Sequence, residues 1–217
     1  MHASTNSRLL AEFLGTSLIV MAVVGSGFMA ASLTDDLGIQ LGINTFATIA
    51  MMLVVISIFA PISGAHFNPL VTLLARYRLE ISNIDSVLYI GVQIFGAILG
   101  AAISNLMFDS EIFSISQNHR LESSSIIGEI VATTGLLFVI VLGAKQGKYL
   151  VPAWIGSAYF FTASTSFANP AVTIGRIFTD AFPGIAPSSV TGFISAQLIS
   201  LPIALVILNG LQEKASK

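Results

Sequence analysis

His66-Phe67-Asn68-Pro69-Leu70-Val71-Thr72 and Phe167-Ala168-Asn169-Pro170-Ala171-Val172-Thr173 are the two stretches that decide how this chain folds. Asn is a favoured helix N-cap and Pro a favoured first helical residue, so each Asn-Pro reads as a helix start. The helices that follow, Asn68 to Arg78 and Asn169 to Phe182, are short. About ten helical residues reach about 15 Å, half the thickness of a hydrocarbon core. The residues before them, Pro61 to Phe67 and Ser164 to Ala168, contain Gly, Ser and Thr and read as extended. One Asn-Pro is an ordinary cap. Two of them at equivalent places of a duplicated chain are an architectural signal.

The duplication extends outward from these motifs. Ala11-Glu12-Phe13-Leu14-Gly15-Thr16 matches Gly128-Glu129-Ile130-Val131-Ala132-Thr133, and Gln93 matches Gln197. The offsets are 117, 101 and 104 residues, and their drift falls in connections, where length is cheap to change. The chain therefore reads as a single membrane domain over 1–217. Repeat 1 covers about 1–110, a connecting loop about 109–123, and repeat 2 about 124–217.

Composition sets the solvent. Of 217 residues 54% are hydrophobic and 9% charged, against about 25% charged in a typical soluble domain. Twenty charged side chains cannot cover a soluble surface of this size, so a soluble enzyme, a disordered tail and a secreted disulfide scaffold are excluded. The chain has no Cys, hence neither a disulfide nor a thiolate metal site. A net charge of −2 gives no reason to expect a nucleic-acid partner. Apolar runs at Leu9–Ala31, Ile39–Ala60, Ile84–Phe108, Ser124–Ala144, Tyr149–Thr165 and Ser189–Leu208 predict six spanning helices. A cleaved signal peptide at the first run is disfavoured, because Glu12 and the repeat reuse that segment.

Seven basic residues (Arg8, Arg76, Arg78, Lys145, Lys148, Lys214 and Lys217) fall on one side of this topology, and only Arg120 and Arg176 on the other. Both termini are therefore expected to be cytoplasmic, in a multi-pass protein of the plasma (inner) membrane. Each half has three spans, so the halves insert in opposite senses and the two short helices start face to face near the midplane. Inverted repeats with a midplane site are a transport architecture. Irregular backbone at membrane depth is tolerated where it lines a watery path. The two halves thus predict a pore. In it each Asn oxygen caps its helix and each NH2 is free to donate into the lumen. Helix starts add partial positive charge, which admits neutral hydroxylic solutes and opposes cations.

Ser63-Gly64-Ala65-His66-Phe67-Asn68-Pro69-Leu70-Val71-Thr72 and Asn169-Pro170-Ala171 resemble the paired Asn-Pro-Ala signatures of the aquaporin and aquaglyceroporin family, and the resemblance covers essentially the whole chain. It implies an all-α membrane fold of six transmembrane helices and two re-entrant half-helices. It also implies passive conduction of water or small neutral solutes, a homotetramer in the lipid bilayer, and no cofactor or metal. The central constriction would be Asn68, Pro69 and Leu70 with Asn169, Pro170 and Ala171, and Gly64, Ala65 and His66 would line or support the path.

Two departures matter. Leu70 stands where the family has Ala. Val172 stands where the family usually places the filter Arg, three residues after the second Asn. Carried over by spacing, the selectivity filter would be Thr48, Ser157, Ser166 and Val172. Small side chains and no cation imply a wide mouth, similar to that of bacterial aquaglyceroporins associated with arsenic detoxification. Undissociated arsenous acid and methylated arsenicals would then join water and glycerol. Arg176 either folds back to serve the outer mouth or sits at the interface, and the interfacial role is the simpler expectation.

Glu12 and Glu129 are costly in lipid. They are expected to brace the re-entrant segments, with Gln93 and Gln197. The rival reading is a proton- or ion-coupled secondary transporter using the two Glu. A non-conducting junction or scaffold protein has no specific support in the sequence. His66 either lines the vestibule or braces the loop, His2 and His119 are expected to be inert, and Trp154 is expected to face lipid or the interface. Gly96 and Gly100, matched by Ser200 and Ala204, are expected to let helices approach closely. No arrangement of catalytic residues is present.

Overall fold

The computed structural model describes residues 3–215, with side chains through Leu211. His2 and Lys217 lie outside the described residues, as does the side chain of Lys214. Eight α-helices are present among them: α1 Thr5–Leu33, α2 Leu37–Ser63, α3 Pro69–Tyr77, α4 Asn83–Met107, α5 Ser123–Leu142, α6 Gly147–Phe161, α7 Pro170–Gly175 and α8 Pro187–Ala215. No strand occurs among the described residues.

Polar caps start α1, α2 and α4. The Ser4 hydroxyl accepts from the Ser7 N–H, the Asp36 carboxylate from Ile39, and the Ser82 hydroxyl from Asp85. Helices α1, α2, α4, α5 and α8 are long and apolar enough to cross a membrane. Helix α6 has 15 residues and covers only about 22 Å. A 3-10 turn at Ala144–Gln146 lengthens it at its start. The fifth apolar run is thus displaced from expectation. Its helix begins before Tyr149 and stops at Phe161, because Thr162 takes an extended conformation and turns the chain inward.

The distribution of polarity is the reverse of a soluble protein. Phe46, Ile84 and Val206 are among the most exposed side chains, whereas Glu12, Gln93, Glu129 and Gln197 have no exposed surface. An apolar exterior around a polar interior is what a lipid solvent selects.

Two helix groups make the body. Helix α1 packs on α4 and α2, α5 packs on α8 and α6, and α2 joins the groups through α6. At the α1–α4 crossing a Cβ on Gly96 would collide with the Phe13 carbonyl oxygen, and one on Gly100 with that of Ser17. The equivalent α5–α8 contact has Ser200, which donates to Ile130 O at 3.3 Å, and the buried Ala204. Small residues permit both approaches.

The first re-entrant segment begins later than the sequence suggests. Helix α2 continues through Pro61 to Ser63, a tolerated position for Pro where neighbouring helices satisfy the backbone. It ends because Gly64 adopts φ 89°, a left-handed cap. The second short helix is also briefer than expected. Helix α7 ends at Gly175, a single 3-10 turn spans Arg176–Phe178, and Thr179 is extended. The helical segment thus ends at Phe178, short of the expected Phe182.

Candidate functional site

Glu12 and Glu129 sit where α1 and α5 pass the re-entrant segments. Glu12 accepts from the backbone N–H of His66 (2.9 Å) and Phe67 (2.7 Å), from the Ser63 hydroxyl (2.6 Å) and from Gln93 Nε2 (2.8 Å). Glu129 accepts from the N–H of Phe167 (2.8 Å) and Ala168 (2.9 Å) and from Gln197 Nε2 (2.7 Å). Gln93 also donates to Thr72 Oγ1, and Gln197 to Thr173 Oγ1, both at 3.0 Å. Those threonines donate to the carbonyls of Asn68 and Asn169. Each half thus contains the same chain of contacts, from buried acid to the first turn of its short helix.

This bracing explains an unusual backbone. Ala65 and Phe67 in one segment, and Thr165, Ser166 and Ala168 in the other, have φ between 47° and 57°. Non-Gly residues in this region are strained. Successive N–H groups in such a conformation converge into a concavity for an anion. The carboxylate is that anion, and its hydrogen bonds hold the strain.

The two asparagines meet across the halves. Asn68 Oδ1 accepts from the Leu70 N–H at 2.9 Å. Asn169 Oδ1 accepts from Ala171 (3.0 Å) and Val172 (3.3 Å). Each Nδ2 then donates to the opposite half: Asn68 to Ala168 O and Asn169 to Phe67 O, both at 2.8 Å. The expected free NH2 groups are therefore each half-engaged. One N–H ties the halves together, and one remains for the lumen.

A cavity of about 690 Å³ passes both asparagines. At one end it is lined by Arg78, Glu80, Lys145 and Lys148, and at the other by Val172 and Arg176. His66, Gly64 and Ala65 line it too, and His66 Nδ1 lies 3.1 Å from Thr72 Oγ1, so this histidine both faces the cavity and braces the turn. Thr48, Ser166 and Val172 line it as the spacing suggests. Pro69, Leu70, Pro170 and Ala171 are buried behind the asparagines rather than lining it. Glu12 and Glu129 do not line it, and their acceptors are taken up by the re-entrant backbone.

Ser157 is a correction. It is exposed on the face of α6 away from the cavity and donates to Ala153 O at 2.8 Å. Beyond Gly147 and Lys148 at its start, the residues of α6 that line the cavity are Val151, Ile155 and Tyr159. Ser157 lies two residues from both Ile155 and Tyr159, about 200° around a helix, so counting back from Asn169 selects the opposite face. Arg176 is the second correction. It is 3% exposed, lines the cavity, and donates from Nε to Pro183 O. Its guanidinium carbon lies 3.3 Å from the Phe167 ring centroid. The interfacial role expected for it fails because the 3-10 turn after α7 points it inward. The far end of the cavity therefore carries Tyr159, Phe167 and a cation, not only small side chains.

Arg120 enters the sequence reading only as a charge on the outer side, since a single Arg in a polar loop carries no signal of a site. It donates to Gly184 O (2.7 Å) and Phe182 O (2.8 Å), and lies 5.7 Å from the same Phe167 ring. Burial lowers its pKa from the ordinary value, yet arginine remains protonated. His119 Nδ1 lies near the Ser188 hydroxyl in an exposed position. Trp154 departs from expectation: half-buried, it packs on Gly135 of α5 and donates Nε1–H to Ala132 O at 2.9 Å. No group of acids and histidines fit to hold a metal occurs among the described residues.

An inverted pair of short helices meeting at two Asn-Pro caps beside a long cavity defines a membrane channel architecture. The family model described as major intrinsic protein matches residues 1–166, and the chain belongs to that family. It is 42% identical over 212 residues to the aquaglyceroporin AqpS of Rhizobium meliloti (strain 1021), covering 96% of this chain and 91% of that one. It is 30% identical to aquaporin TIP1-2 of Musa acuminata, covering 80% of this chain and 75% of that one. The X-ray structure of the aquaglyceroporin from Plasmodium falciparum superposes with a TM-score of 0.72 at 19% identity, over 93% of this chain and 95% of that one, a likeness of fold.

Proposed function

We propose that the chain is a passive channel for water and small neutral hydroxylic solutes of the glycerol class. The observation that carries this reading is the single cavity running past both asparagines, from the Lys148 end to Arg176. Its polar groups suit uncharged hydroxyl compounds. The remaining N–H of each Asn donates. The backbone carbonyls of the re-entrant segments accept, because their N–H groups are turned to Glu12 and Glu129. A cavity that replaces hydration by fixed donors and acceptors passes neutral solutes.

Undissociated arsenous acid carries three hydroxyls and belongs to the same chemical class, and methylated arsenicals are analogues with fewer hydroxyls. The likeness to AqpS and the Val at 172 support both as solutes. The Asn-Pro segments act as the central constriction, and Thr48, Ser166, Val172 and Tyr159 as the outer filter. The two repeats, about 1–110 and 124–217, insert in opposite senses with both termini cytoplasmic, in the inner membrane and as a homotetramer.

Ion coupling through Glu12 and Glu129 is not favoured, because both carboxylates are saturated with donors and lie outside the cavity. Proteoliposomes test the reading. Water, glycerol and arsenous acid should all enter faster than into empty vesicles, and exclusion of glycerol and arsenous acid with water passing would reduce the proposal to a water pore.

A further inference from the structure

A pore of this kind that lacks an arginine at Val172 would be expected to lack a fixed charge at its outer end, but the cavity has one. Val172 and Arg176 are four residues apart, so they fall on the same helix face, about 6 Å apart along the axis. Both line the cavity. Arg176 is held by two contacts, one of them itself braced. Its Nε donates to Pro183 O, its plane rests on Phe167, and Phe167 is itself packed edge-on against Phe193 at 4.9 Å. The N–H of Phe167 is bound by Glu129.

No carboxylate pairs with this guanidinium. The ion pairs among the described residues are Arg8–Asp85 and Arg78–Glu80, both elsewhere. A buried arginine without an acid is costly, and a packing role would be served by Met or Leu at no such cost. Its terminal nitrogens make no hydrogen bond among the described residues, so their N–H groups are left for the cavity. Arg120 adds a second cation on the same ring. Bringing two like charges together raises the positive potential of this end of the cavity.

We propose that Arg176, seated on Phe167 and backed by Arg120, is the cation barrier of the outer mouth, displaced one helical turn outward from Val172. This rests on the pore reading above. The displacement separates two properties that one residue at 172 would combine. The ring around Val172 is left free to pass polyols, while cations, hydronium included, meet the charge before they reach it.

The test uses full-length protein in proteoliposomes, with water flux and the proton and potassium leak under a clamped potential measured on the same vesicles. R176Q should still conduct water, while its cation leak rises about tenfold or more. The V172R/R176Q double variant should return the leak to the wild-type level, since it restores a cation one turn inward. V172R alone should leave the leak where it is, because the barrier already exists. R176Q conducting water with an unchanged leak would overturn the proposal. So would a several-fold drop in leak on V172R alone, a result that decides the matter even if R176Q does not assemble. Absence of water flux in wild-type vesicles would instead defeat the pore reading itself.

Discussion

Removing the Glu129 carboxylate should collapse the second re-entrant segment. In Glu129→Leu three buried donors lose their acceptor: the N–H groups of Phe167 and Ala168 and Gln197 Nε2. Each buried, unpartnered donor costs about 1–3 kcal/mol, and at membrane depth no water substitutes. The total, about 3–9 kcal/mol, is comparable with the whole stability of a typical domain. The segment also holds three strained residues, Thr165, Ser166 and Ala168, whose conformation this bracing helps to over-determine. Thermal unfolding in detergent should show a large loss of Tm, and proteoliposomes should show water flux near that of empty vesicles. Glu129→Gln keeps one acceptor oxygen and should be intermediate in both measurements. A Glu129→Leu protein with wild-type Tm and wild-type flux would refute the bracing argument. If Gln were fully stable yet lost a proton-driven uptake, the coupled-transporter reading would gain instead.

Other substitutions separate the parts of the account. Ser157→Phe should leave glycerol flux per folded channel unchanged, because the side chain points away from the cavity; Tyr159→Ala should raise glycerol flux severalfold relative to water. The reverse pattern in stopped-flow measurements would restore Ser157 to the filter. Val172→Arg should lower glycerol and arsenous acid flux more than water flux, and an equal fall in all three would show that 172 does not set size selection. Gly100→Leu drives a side chain against the rigid Ser17 carbonyl, so it should cost about 1–3 kcal/mol or more and reduce the yield of monodisperse protein. Wild-type yield and Tm would contradict the close α1–α4 crossing.

Much of this was legible in the sequence because the signals were local or repeated. The Asn-Pro caps start α3 and α7, the apolar runs place the long helices, and the paired Glu and Gln lie where two re-entrant segments need acceptors and donors. What failed depended on rotation or on termination. Ser157 missed the cavity because a count of residues does not fix which helix face turns inward, and two positions suffice to reverse it. The second half-helix is shorter than expected because nothing in the sequence before Pro183 marks its end, whereas the α-helix stops at Gly175 and its 3-10 extension at Phe178. The Gly and Ser content of Pro61 to Phe67 reads as extended, but inside a helix bundle α2 continues to Ser63 and is capped by Gly64. Arg176 and Arg120 were hidden for a different reason. Their meeting on Phe167 depends on a loop contact across more than fifty residues, which no spacing rule encodes.

The central claim is passive conduction past the two asparagines, and stopped-flow flux with paired gradients tests it most directly. Wild-type protein in vesicles should pass water and glycerol down their gradients, at rates unaffected by an imposed proton or sodium gradient, and should stop at equal concentrations on both sides. Accumulation of glycerol above the external concentration when a proton or sodium gradient is applied would contradict it, as would folded protein that leaves both fluxes at the level of empty vesicles.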